Sequence, residues 1–221
     1  MRRILDFTFS FLALMVLSPF LLPIIIILRF TGEGEVFYVQ KRIGQGGEEF
    51  GLLKFATMYK NSSSLPGGNI TSKNDSRILP VGKFLRKYKI NELPQIINVF
   101  LGQMSIIGRR PTVIEHYEFF SPEIRKIISV FKPGLSGISS IIFRDEEKFF
   151  KNKDQNENKQ FYKNQIAPFK GELEIWYCKN QSFKLDSILI FLTLLCIVFP
   201  SSNYHNYFLK NLPEHPLFNS K

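Results

Sequence analysis

Cysteine is scarce in this chain of 221 residues, which contains only two, Cys178 and Cys196. Their spacing matches neither a disulfide framework nor a zinc-ligand pattern, and two isolated cysteines suit a reducing compartment. Cys196 lies in an apolar run, so we expect it in the core or against lipid. No internal repeat is visible, and the length suits one domain with appendages.

Acidic side chains are also few, since 19 Asp and Glu face 29 Lys and Arg and leave a net charge of +10. An excess of positive charge favours phosphate-rich partners, namely nucleic acid, nucleotides or an anionic membrane surface. The glycine-containing segment 44–47 lacks the Walker pattern of a phosphate-binding loop and is interpreted as a turn. Nucleic-acid binding rests on charge alone, and the apolar segment described next argues against it.

The longest apolar run fills residues 1–30, where no charge occurs between Asp6 and Arg29. It is long enough to span a bilayer, and a signal peptide is disfavoured because no small-x-small cleavage site follows. A straight transmembrane helix is one alternative. However, Ser18-Pro19 and Pro23 interrupt the middle, and proline kinks a helix. Because basic residues flank both ends, we favour a reentrant helix-break-helix that dips into one leaflet and keeps both ends cytoplasmic.

The rest of the chain predicts an α+β fold with mostly helices and one short β-hairpin. Residues 31–182 form the expected domain at the membrane surface, with strands at 36–39 and 50–55 joined by a glycine turn. Residues 183–200 form a C-terminal apolar segment that is too short to span a bilayer and suits packing or an interface. Residues 201–221 form a tail without a clear pattern.

Five further segments carry weaker local signals. Apolar spacing predicts helices over residues 77–88 and 112–130. Residues 138–143 resemble a strand. The polar composition of residues 61–76 predicts a loop, and residues 151–165 are interpreted as a solvated loop or ragged helix. We expect sugar specificity, where the chain has any, to lie in the loops 61–76 and 138–165.

The most informative stretch places Asn91 and Glu92 just before a helix. Pro94 suits the first helical position and Gly102 the stop. Free N–H groups at a helix start attract anions, and basic residues lie on both sides of the stretch. A carboxylate among cations becomes an anion site when it holds a divalent metal that bridges to phosphate. The simpler alternative is an ordinary capped helix among solvated charges.

Basic residues near this stretch are candidates for binding phosphate. Arg109 and Arg110 precede a proline and are well placed to grip a phosphate bidentately. Lys54 stands at the end of a predicted strand, where a cation could face a site. The alternative for each of them is a solvated surface charge.

Several short motifs follow one another in a fixed order along the chain. They are Ser18-Pro19, Gln40-Lys41-Arg42-Ile43-Gly44, Lys54-Phe55-Ala56-Thr57-Met58, Asp75-Ser76-Arg77-Ile78, Phe84-Leu85-Arg86-Lys87, Asn91-Glu92-Leu93-Pro94-Gln95, Asn98-Val99, Gly102-Gln103-Met104-Ser105, Arg110-Pro111 and Pro133-Gly134-Leu135-Ser136-Gly137. Each motif is weak alone, but the ordered set is specific. It resembles the bacterial sugar transferase family, the monotopic polyprenyl-phosphate phosphoglycosyl transferases, over roughly residues 1–200.

The resemblance implies a reaction and its partners. A sugar 1-phosphate moves from a UDP-sugar to polyprenyl (undecaprenyl) phosphate, releasing UMP, at the first membrane step of glycan or polysaccharide biosynthesis, as for lipopolysaccharide or capsule. It also implies Mg²⁺ as cofactor, membrane lipids as a further partner, and the cytoplasmic face of the bacterial inner membrane as the location.

The resemblance also implies a set of site residues. The family uses an adjacent Asp-Glu pair, in which the Asp attacks the donor and the Glu helps to bind the metal. Here the pair is Asn91-Glu92, so Glu92 matches as catalytic and metal-binding residue while Asn91 stands at the nucleophile position. Ala56 and Arg109 also depart from the pattern. The implied substrate-binding residues are Lys54, Arg86, Arg110, Arg77 and, matched only by its place after Pro-Gly-x-Ser-Gly, Arg144.

An amide is a poor nucleophile, so two hypotheses follow from Asn91. In the first, the chain is active, and Glu92 or the polyprenyl phosphate itself attacks the donor, as proximity in a site allows. In the second, the chain is a membrane-bound homologue that binds a nucleotide-sugar or a lipid phosphate without turnover, since loss of a nucleophile removes many powers of ten in rate.

Overall fold

A computed structural model describes residues 2–64, 75–150, 155–199 and 204–215. It confirms a mostly helical α+β fold with little sheet. The helices are α1 (Arg2–Phe30), α2 (Pro80–Lys87), α3 (Gln95–Phe100), α4 (Ile114–Tyr117), α5 (Pro122–Ser129), α6 (Ile138–Ile142), α7 (Gln155–Phe161), α8 (Ala167–Asn180), α9 (Phe183–Val198) and α10 (His205–Phe208). The strands are β1 (Phe37–Ile43), β2 (Glu49–Phe55), β3 (Ser105–Ile107) and β4 (Gly134–Ser136).

The predicted hairpin is present as the antiparallel pair β1–β2. Helix α3 lies against the free edge of β2, where the Asn98 side chain accepts a hydrogen bond from Leu53 N and donates one to Gly51 O. The predicted helix start and stop around α3 are confirmed: Pro94 is its N-cap residue, and Gly102 follows it with φ +83°. The Asn98 side chain therefore joins α3 to the hairpin.

A second, parallel pair connects this unit to the main core. Ser105 of β3 pairs with Gly134 of β4, and Ile107 pairs with Ser136. The strands approach so closely that a Cβ on Gly134 would lie 2.1 Å from Gly108 N, so only glycine fits there. The core beyond β3 and β4 is built from α5, α6, α8 and α9 and includes the fully buried side chains of Leu173, Tyr177, Leu189 and Ile128.

Helix α1 runs as one helix through Pro19 and Pro23, so the predicted break is not seen as an interruption. A proline bends a helix without ending it when the remaining backbone bonds hold. Both ends of α1 contact the same domain: Arg3 donates to Val99 O and Phe100 O at the start of the helix, and Leu28 is buried with Phe55 and Leu85 at its end.

The outer face of α1 is apolar and exposed. By length and composition α1 could cross a membrane. Asp6, by contrast, is buried and accepts hydrogen bonds from Ser105 Oγ and Ile106 N, which fixes the start of α1 to β3. The exposed apolar side chains of α1 include Phe9, Met15, Val16, Phe20, Leu22 and Ile26.

One prediction of secondary structure is wrong, and another is refined. Residues 138–143 were expected to form a strand, but α6 lies there. The β-branched run favours a strand locally, whereas Ile138, Ser139 and Ile141 are all buried among helices, and this packing overrides the preference. The helical prediction for 112–130 is confirmed, but the segment is divided into α4 and α5, because Ser121 caps α5 and Pro122 occupies its first turn.

The remaining predictions concern the second half of the chain and two loops. Residues 155–165 belong to α7 and a π-helical turn, Tyr162–Ile166, which confirms the ragged helix and not the loop for the described part of 151–165. The helix continues as α8, which the pattern did not predict. Within the predicted 61–76 loop, residues 65–74 lie outside the described residues, as do 151–154. Of the tail, the structure describes 204–215.

Helix α9 corresponds to the predicted C-terminal apolar segment. Leu185, Leu189, Leu192 and Cys196 face the core, so Cys196 takes the first of its two expected positions, in the core and not against lipid. The opposite face is apolar and exposed at Phe191, Leu194, Ile197 and Val198. One side of α9 thus completes the core, and its other side presents an apolar surface.

Candidate active site

The hairpin places three polar side chains on one face. Side chains alternate between the two faces of a strand, so Gln40 and Arg42 of β1 share a face with Lys54 of β2, which pairs with Tyr38. Gln40 Oε1 accepts hydrogen bonds from Arg42 Nη2 at 2.7 Å and from Lys54 Nζ at 3.1 Å. Gln40 therefore holds two cations side by side.

Asn91 and Glu92 lie in a 3₁₀ turn, Ile90–Glu92, directly before α3. Lys89 precedes the turn with φ +58°, a left-handed conformation that reverses the chain after α2. The Asn91 side chain is buried, and its Oδ1 has no hydrogen-bond partner among the described residues. A buried amide oxygen without a partner is unfavourable unless a ligand satisfies it.

Glu92 lies at the centre of a group of cations. Burial raises the pKa of its carboxyl, but the charges of Lys54, Arg110, Lys89 and Arg42 outweigh burial and lower the pKa to about 2. Glu92 is therefore ionised at every physiological pH. None of the ion pairs among the described residues involves Glu92, so the cations attract it from more than 4 Å away.

The cations themselves are destabilised by their surroundings. Burial, followed by repulsion from Arg42, Arg110 and Arg86, lowers the pKa of Lys54 to about 7 despite the attraction of Glu92. Burial and Arg110 lower the pKa of Arg42 to about 10. Positive charges that repel one another in the free protein are stabilised by a polyanion, so this group is suited to a diphosphate.

Arg110 enters the site from the segment after β3. Its Nη1 donates to Ser140 Oγ at 3.1 Å, and its backbone N–H donates to Glu174 Oε1 at 2.9 Å. Glu174 is fully enclosed on α8, and burial raises the pKa of its carboxyl. The carboxyl of Glu174 thus fixes the backbone that presents Arg110 to Glu92.

Arg109 has a different role from the one its position beside Arg110 predicts. Its side chain is 0% exposed, and its Nη2 donates to the carbonyl oxygens of Ile43 and Gly44 at 3.1 and 2.6 Å. The expectation that both arginines grip phosphate is therefore wrong for Arg109. Successive residues of an extended segment point in opposite directions, so Arg109 ties the hairpin to the core.

The other arginines implied by the resemblance are spread around the site. Arg86 of α2 lies close enough to influence Lys54. Arg77 is buried and forms a bidentate ion pair with Asp75, with Nη2 to Oδ2 at 2.6 Å. The Arg144 carbonyl lies 3.5 Å from Lys89 Nζ, and its side chain interacts with Cys196. The structure therefore brings Lys54, Arg86 and Arg110 together with Glu92, and places Arg77 and Arg144 at the periphery.

A closed polar cluster lies behind Arg110. Lys170 Nζ pairs with Glu146 Oε1 at 2.7 Å and donates to Tyr162 Oη at 3.2 Å, and it also lies over the ring of Phe143. His116 stacks on Tyr162 with 3.9 Å between ring centroids. Burial and the charge of Lys170 lower the pKa of His116 to about 4, so this histidine is neutral at pH 7.

The oxygen atoms at Asn91 and Glu92 fit the Mg²⁺ that the resemblance implies. Mg²⁺ prefers oxygen ligands and usually takes one or two carboxylates plus water and substrate phosphate. The unsatisfied Asn91 Oδ1 and the unpaired Glu92 carboxylate offer such donors. Among the described residues no group of three or more His, Cys, Asp or Glu could hold a metal ion.

Four residues that contribute to the site were not predicted as site residues from the sequence. Arg42 and Gln40 were detectable, since their alternation on β1 places them on the face of Lys54. Lys89 was visible beside Glu92 but had no assigned role. Glu174 carried no local signal, because its contact with Arg110 spans 64 positions of the sequence.

Known proteins resemble this chain along nearly its whole length. The sequence model of the bacterial sugar transferase family matches residues 1–200. The chain is 30% identical over 199 residues to UDP-N-acetylgalactosamine-undecaprenyl-phosphate N-acetylgalactosaminephosphotransferase of Aeromonas hydrophila, a match to 89% of this chain and 43% of that protein. It is 30% identical over 217 residues to the exopolysaccharide production protein ExoY of Sinorhizobium fredii, covering 92% and 88% of the two chains.

A third relative differs in its sugar. UDP-glucose:undecaprenyl-phosphate glucose-1-phosphate transferase of Klebsiella pneumoniae is 32% identical over 198 residues, which are 87% of this chain and 39% of that protein. This chain therefore spans less than half of two of these relatives and most of the third. The match over residues 1–200 shows that the chain belongs to the bacterial sugar transferase family.

Proposed function

We propose that this protein transfers a sugar 1-phosphate from a UDP-sugar to polyprenyl (undecaprenyl) phosphate and releases UMP. The observation that carries the proposal is the ionised Glu92, unpaired at the centre of Lys54, Arg110, Lys89 and Arg42, in a chain of this family. Relatives from Aeromonas hydrophila and Klebsiella pneumoniae are named for this reaction with two different UDP-sugars.

The chemistry follows from the charges of the site. The cations hold the diphosphate of the donor, and Mg²⁺ held by Glu92 and Asn91 would neutralise further phosphate charge when bound. A phosphate oxygen of the polyprenyl phosphate attacks the β-phosphorus of the donor. The bond from that phosphorus to the oxygen bridging the two phosphates breaks, and UMP leaves as the anion. This route needs no nucleophile at Asn91, because two bound reactants have a high effective molarity.

The alternative is a protein that binds its ligands without turnover, and the specific observation in its favour is Asn91. UMP release from a panel of UDP-sugars, with undecaprenyl phosphate and Mg²⁺, tests the two possibilities in parallel for this protein and Asn91→Asp. Activity in both forms supports the transferase. Activity in Asn91→Asp alone supports the binding protein, and a folded protein that is inactive in both forms contradicts the proposed reaction.

We further propose that α1 enters one leaflet of the inner membrane and returns to its cytoplasmic face. The contacts of Arg3 and Leu28 with the same domain support this arrangement, as does the exposed apolar surface between them. Single cysteines introduced near residues 2 and 31 should both react with an impermeant thiol reagent only from the cytoplasmic side. Labelling from opposite sides would show that α1 crosses the bilayer.

A further inference from the structure

Helix α2 exposes two aromatic side chains. Phe84 is 57% and Tyr88 is 53% exposed, although aromatic side chains of this size are mostly buried or placed at an interface. They lie four positions apart on the helix, and 4.9 Å separates their ring centroids, so they form one aromatic surface. Exposed apolar side chains that adjoin one another indicate an interaction surface, whereas single ones do not.

Two exposed lysines lie beside this aromatic pair. Lys83 and Lys87 are also four positions apart, and each directly precedes one of the two aromatic residues. Lys87 Nζ lies 5.4 Å from the centroid of the Tyr88 ring. Neither lysine forms an ion pair within the described part of the chain. The residues Lys83, Phe84, Lys87 and Tyr88 therefore combine positive charge with aromatic surface, and we call them the basic–aromatic face of α2.

The packing of α2 fixes the direction of this face. Leu79, directly before α2, donates its N–H to Thr57 O at 3.0 Å. A Cβ on Gly82 would lie 2.3 Å from the same oxygen, so the first turn of the helix rests on the backbone at Thr57. Leu85 is 3% exposed and points into the fold. The basic–aromatic face cannot turn inward without breaking these contacts, since such close packing does not adjust freely.

The inner face of α2 packs close to the end of α1. Leu85 of α2, Leu28 of α1 and Phe55 of β2 belong to one buried cluster. Helix α1 ends nearby with Arg29 and Phe30, which are both exposed. Basic and aromatic residues are enriched where an apolar helix reaches the lipid headgroups. With α1 in the membrane, α2 therefore lies at the level of the headgroups.

We propose that the basic–aromatic face of α2 binds anionic phospholipid headgroups of the membrane that holds α1. Its two rings insert between the headgroups, and its two lysines are attracted by the negative charge of the lipid surface. The exposed apolar surface of α1 lies next to this face, which favours lipid over a soluble protein as the partner. The inference rests on the membrane placement of α1 proposed above.

Binding of lipid to α2 would also position the candidate site. Arg86 lies on the same helix, close enough to influence Lys54. A short helix that is held at the headgroups therefore keeps the cations of the site at the same level. The phosphate of a polyprenyl phosphate lies at this level too, so the acceptor would reach the site without leaving the membrane.

The most direct test identifies the lipids that the full chain retains. Native mass spectrometry of protein released from nanodiscs of equal parts phosphatidylglycerol and phosphatidylcholine should show preferential retention of phosphatidylglycerol. Because each lysine near an anionic surface raises affinity severalfold, Lys83→Gln combined with Lys87→Gln should lower this preference about tenfold. Lys126→Gln combined with Lys163→Gln is the matched control, since it removes two exposed lysines from α5 and the π-helical turn, and it should leave the preference unchanged.

A second variant measures the depth of the aromatic rings. Phe84→Trp in a Trp176→Phe background places the single tryptophan of the chain in the basic–aromatic face. Its fluorescence in nanodiscs should lose most of its intensity when the acyl chains carry bromine near the headgroup. The same protein in nanodiscs without bromine is the reference. Equal fluorescence in the two kinds of nanodisc overturns the proposal.

The lipid measurements have their own contradicting outcomes. Equal retention of both lipids by the parent protein overturns the proposal, and so does an unchanged preference in Lys83→Gln with Lys87→Gln. Undecaprenyl phosphate is absent at first and is then added. When the double variant loses undecaprenyl phosphate together with phosphatidylglycerol, the lysines belong to the acceptor site, and the assignment to the lipid surface fails. None of these measurements depends on turnover, so the proposed reaction and this inference can fail separately.

Discussion

Lys54 and Lys170 show two ways in which this fold encloses a positive charge. Lys170 pairs directly with Glu146 at 2.7 Å and is covered by aromatic rings. Lys54 lies among other cations, shares the Gln40 oxygen with Arg42, and is attracted by Glu92 without forming an ion pair. The first arrangement is complete without a ligand, whereas the second is completed by an anion. A direct ion pair with a neighbouring carboxylate therefore distinguishes Lys170, which has a structural role, from Lys54, which belongs to the candidate site.

The same distinction applies to the arginines. Arg77 is paired with Asp75, and Arg109 is bound to carbonyl oxygens, so both guanidinium groups are engaged in holding loops together. Arg110 keeps one donor on Ser140 and otherwise faces Glu92. Arg109 and Arg110 are the same residue type at adjacent positions, and their partners in the fold give them different roles, in agreement with the resemblance, which assigns a substrate-binding role only to Arg110.

The largest effect is expected from neutralising the centre of the site. Glu92→Gln removes the carboxylate that holds Mg²⁺, and turnover should fall by about two to three orders of magnitude. Because the cations lose their counter-charge, the same variant should bind UMP more tightly in the absence of metal. UMP release and UMP titration measure the two effects. Unchanged turnover would show that Glu92 is not the metal carboxylate.

One substitution applied to both lysines tests the comparison directly. Lys170→Met leaves the buried Glu146 without a partner, which should lower the free energy of unfolding by about 3–5 kcal/mol. Lys54→Met removes a charge that its neighbours repel, so stability should stay the same or rise while turnover is lost. Urea unfolding in detergent, followed by the fluorescence of Trp176, measures both variants.

A double variant serves as the control for this pair. Lys170→Met combined with Glu146→Gln removes both charges, and it should recover part of the lost stability because no buried charge remains unpaired. Strong destabilisation by Lys54→Met would mean that Lys54 stabilises the fold as Lys170 does. It would contradict the distinction drawn here between a structural lysine and a lysine of the candidate site.

Local signals in the sequence were sufficient for part of this architecture. The hairpin follows from alternating strands around a glycine turn, and α3 follows from Pro94 and Gly102, because turn and cap chemistry act over a few residues. Glu92 and Lys54 could be proposed for the site because they belong to matched motifs. Each of these features is determined by residues that are close together in the sequence.

The features that were mispredicted depend on distant packing. Ile138 and Ile141 favour a strand by their own preference, but α8 and α9 bury them in a helix. Arg109 is a cation without a phosphate role because the end of β1 and the turn after it bring the carbonyl groups of Ile43 and Gly44 to it. A pattern over a few neighbouring residues cannot predict such contacts, because the two partners are far apart in the sequence and only the fold brings them together.

A smaller effect concerns pH. The pKa of Lys54 lies near 7 in the free protein, below its unfolded value, so the site loses a positive charge as pH rises through 7. A bound phosphate favours charged lysine, so the Kd for UMP should rise up to about tenfold per pH unit above 7.5, when the nucleotide phosphate is already a dianion. Lys54→Arg should remove this dependence up to pH 9, because arginine stays charged. An equal slope in both proteins would assign the titration to another group.

The smallest effect on stability is expected for an ion pair whose two side chains contact each other directly but remain exposed to water. Lys148 and Asp145 form an ion pair of 2.6 Å with both side chains largely exposed. Water already stabilises each charge, so Asp145→Asn should change the free energy of unfolding by less than about 1 kcal/mol and leave UMP release unchanged. Urea unfolding of this variant beside Lys170→Met compares two pairs of nearly equal length that differ in burial. A loss of several kcal/mol from Asp145→Asn would show that distance, not burial, decides which pairs stabilise this fold.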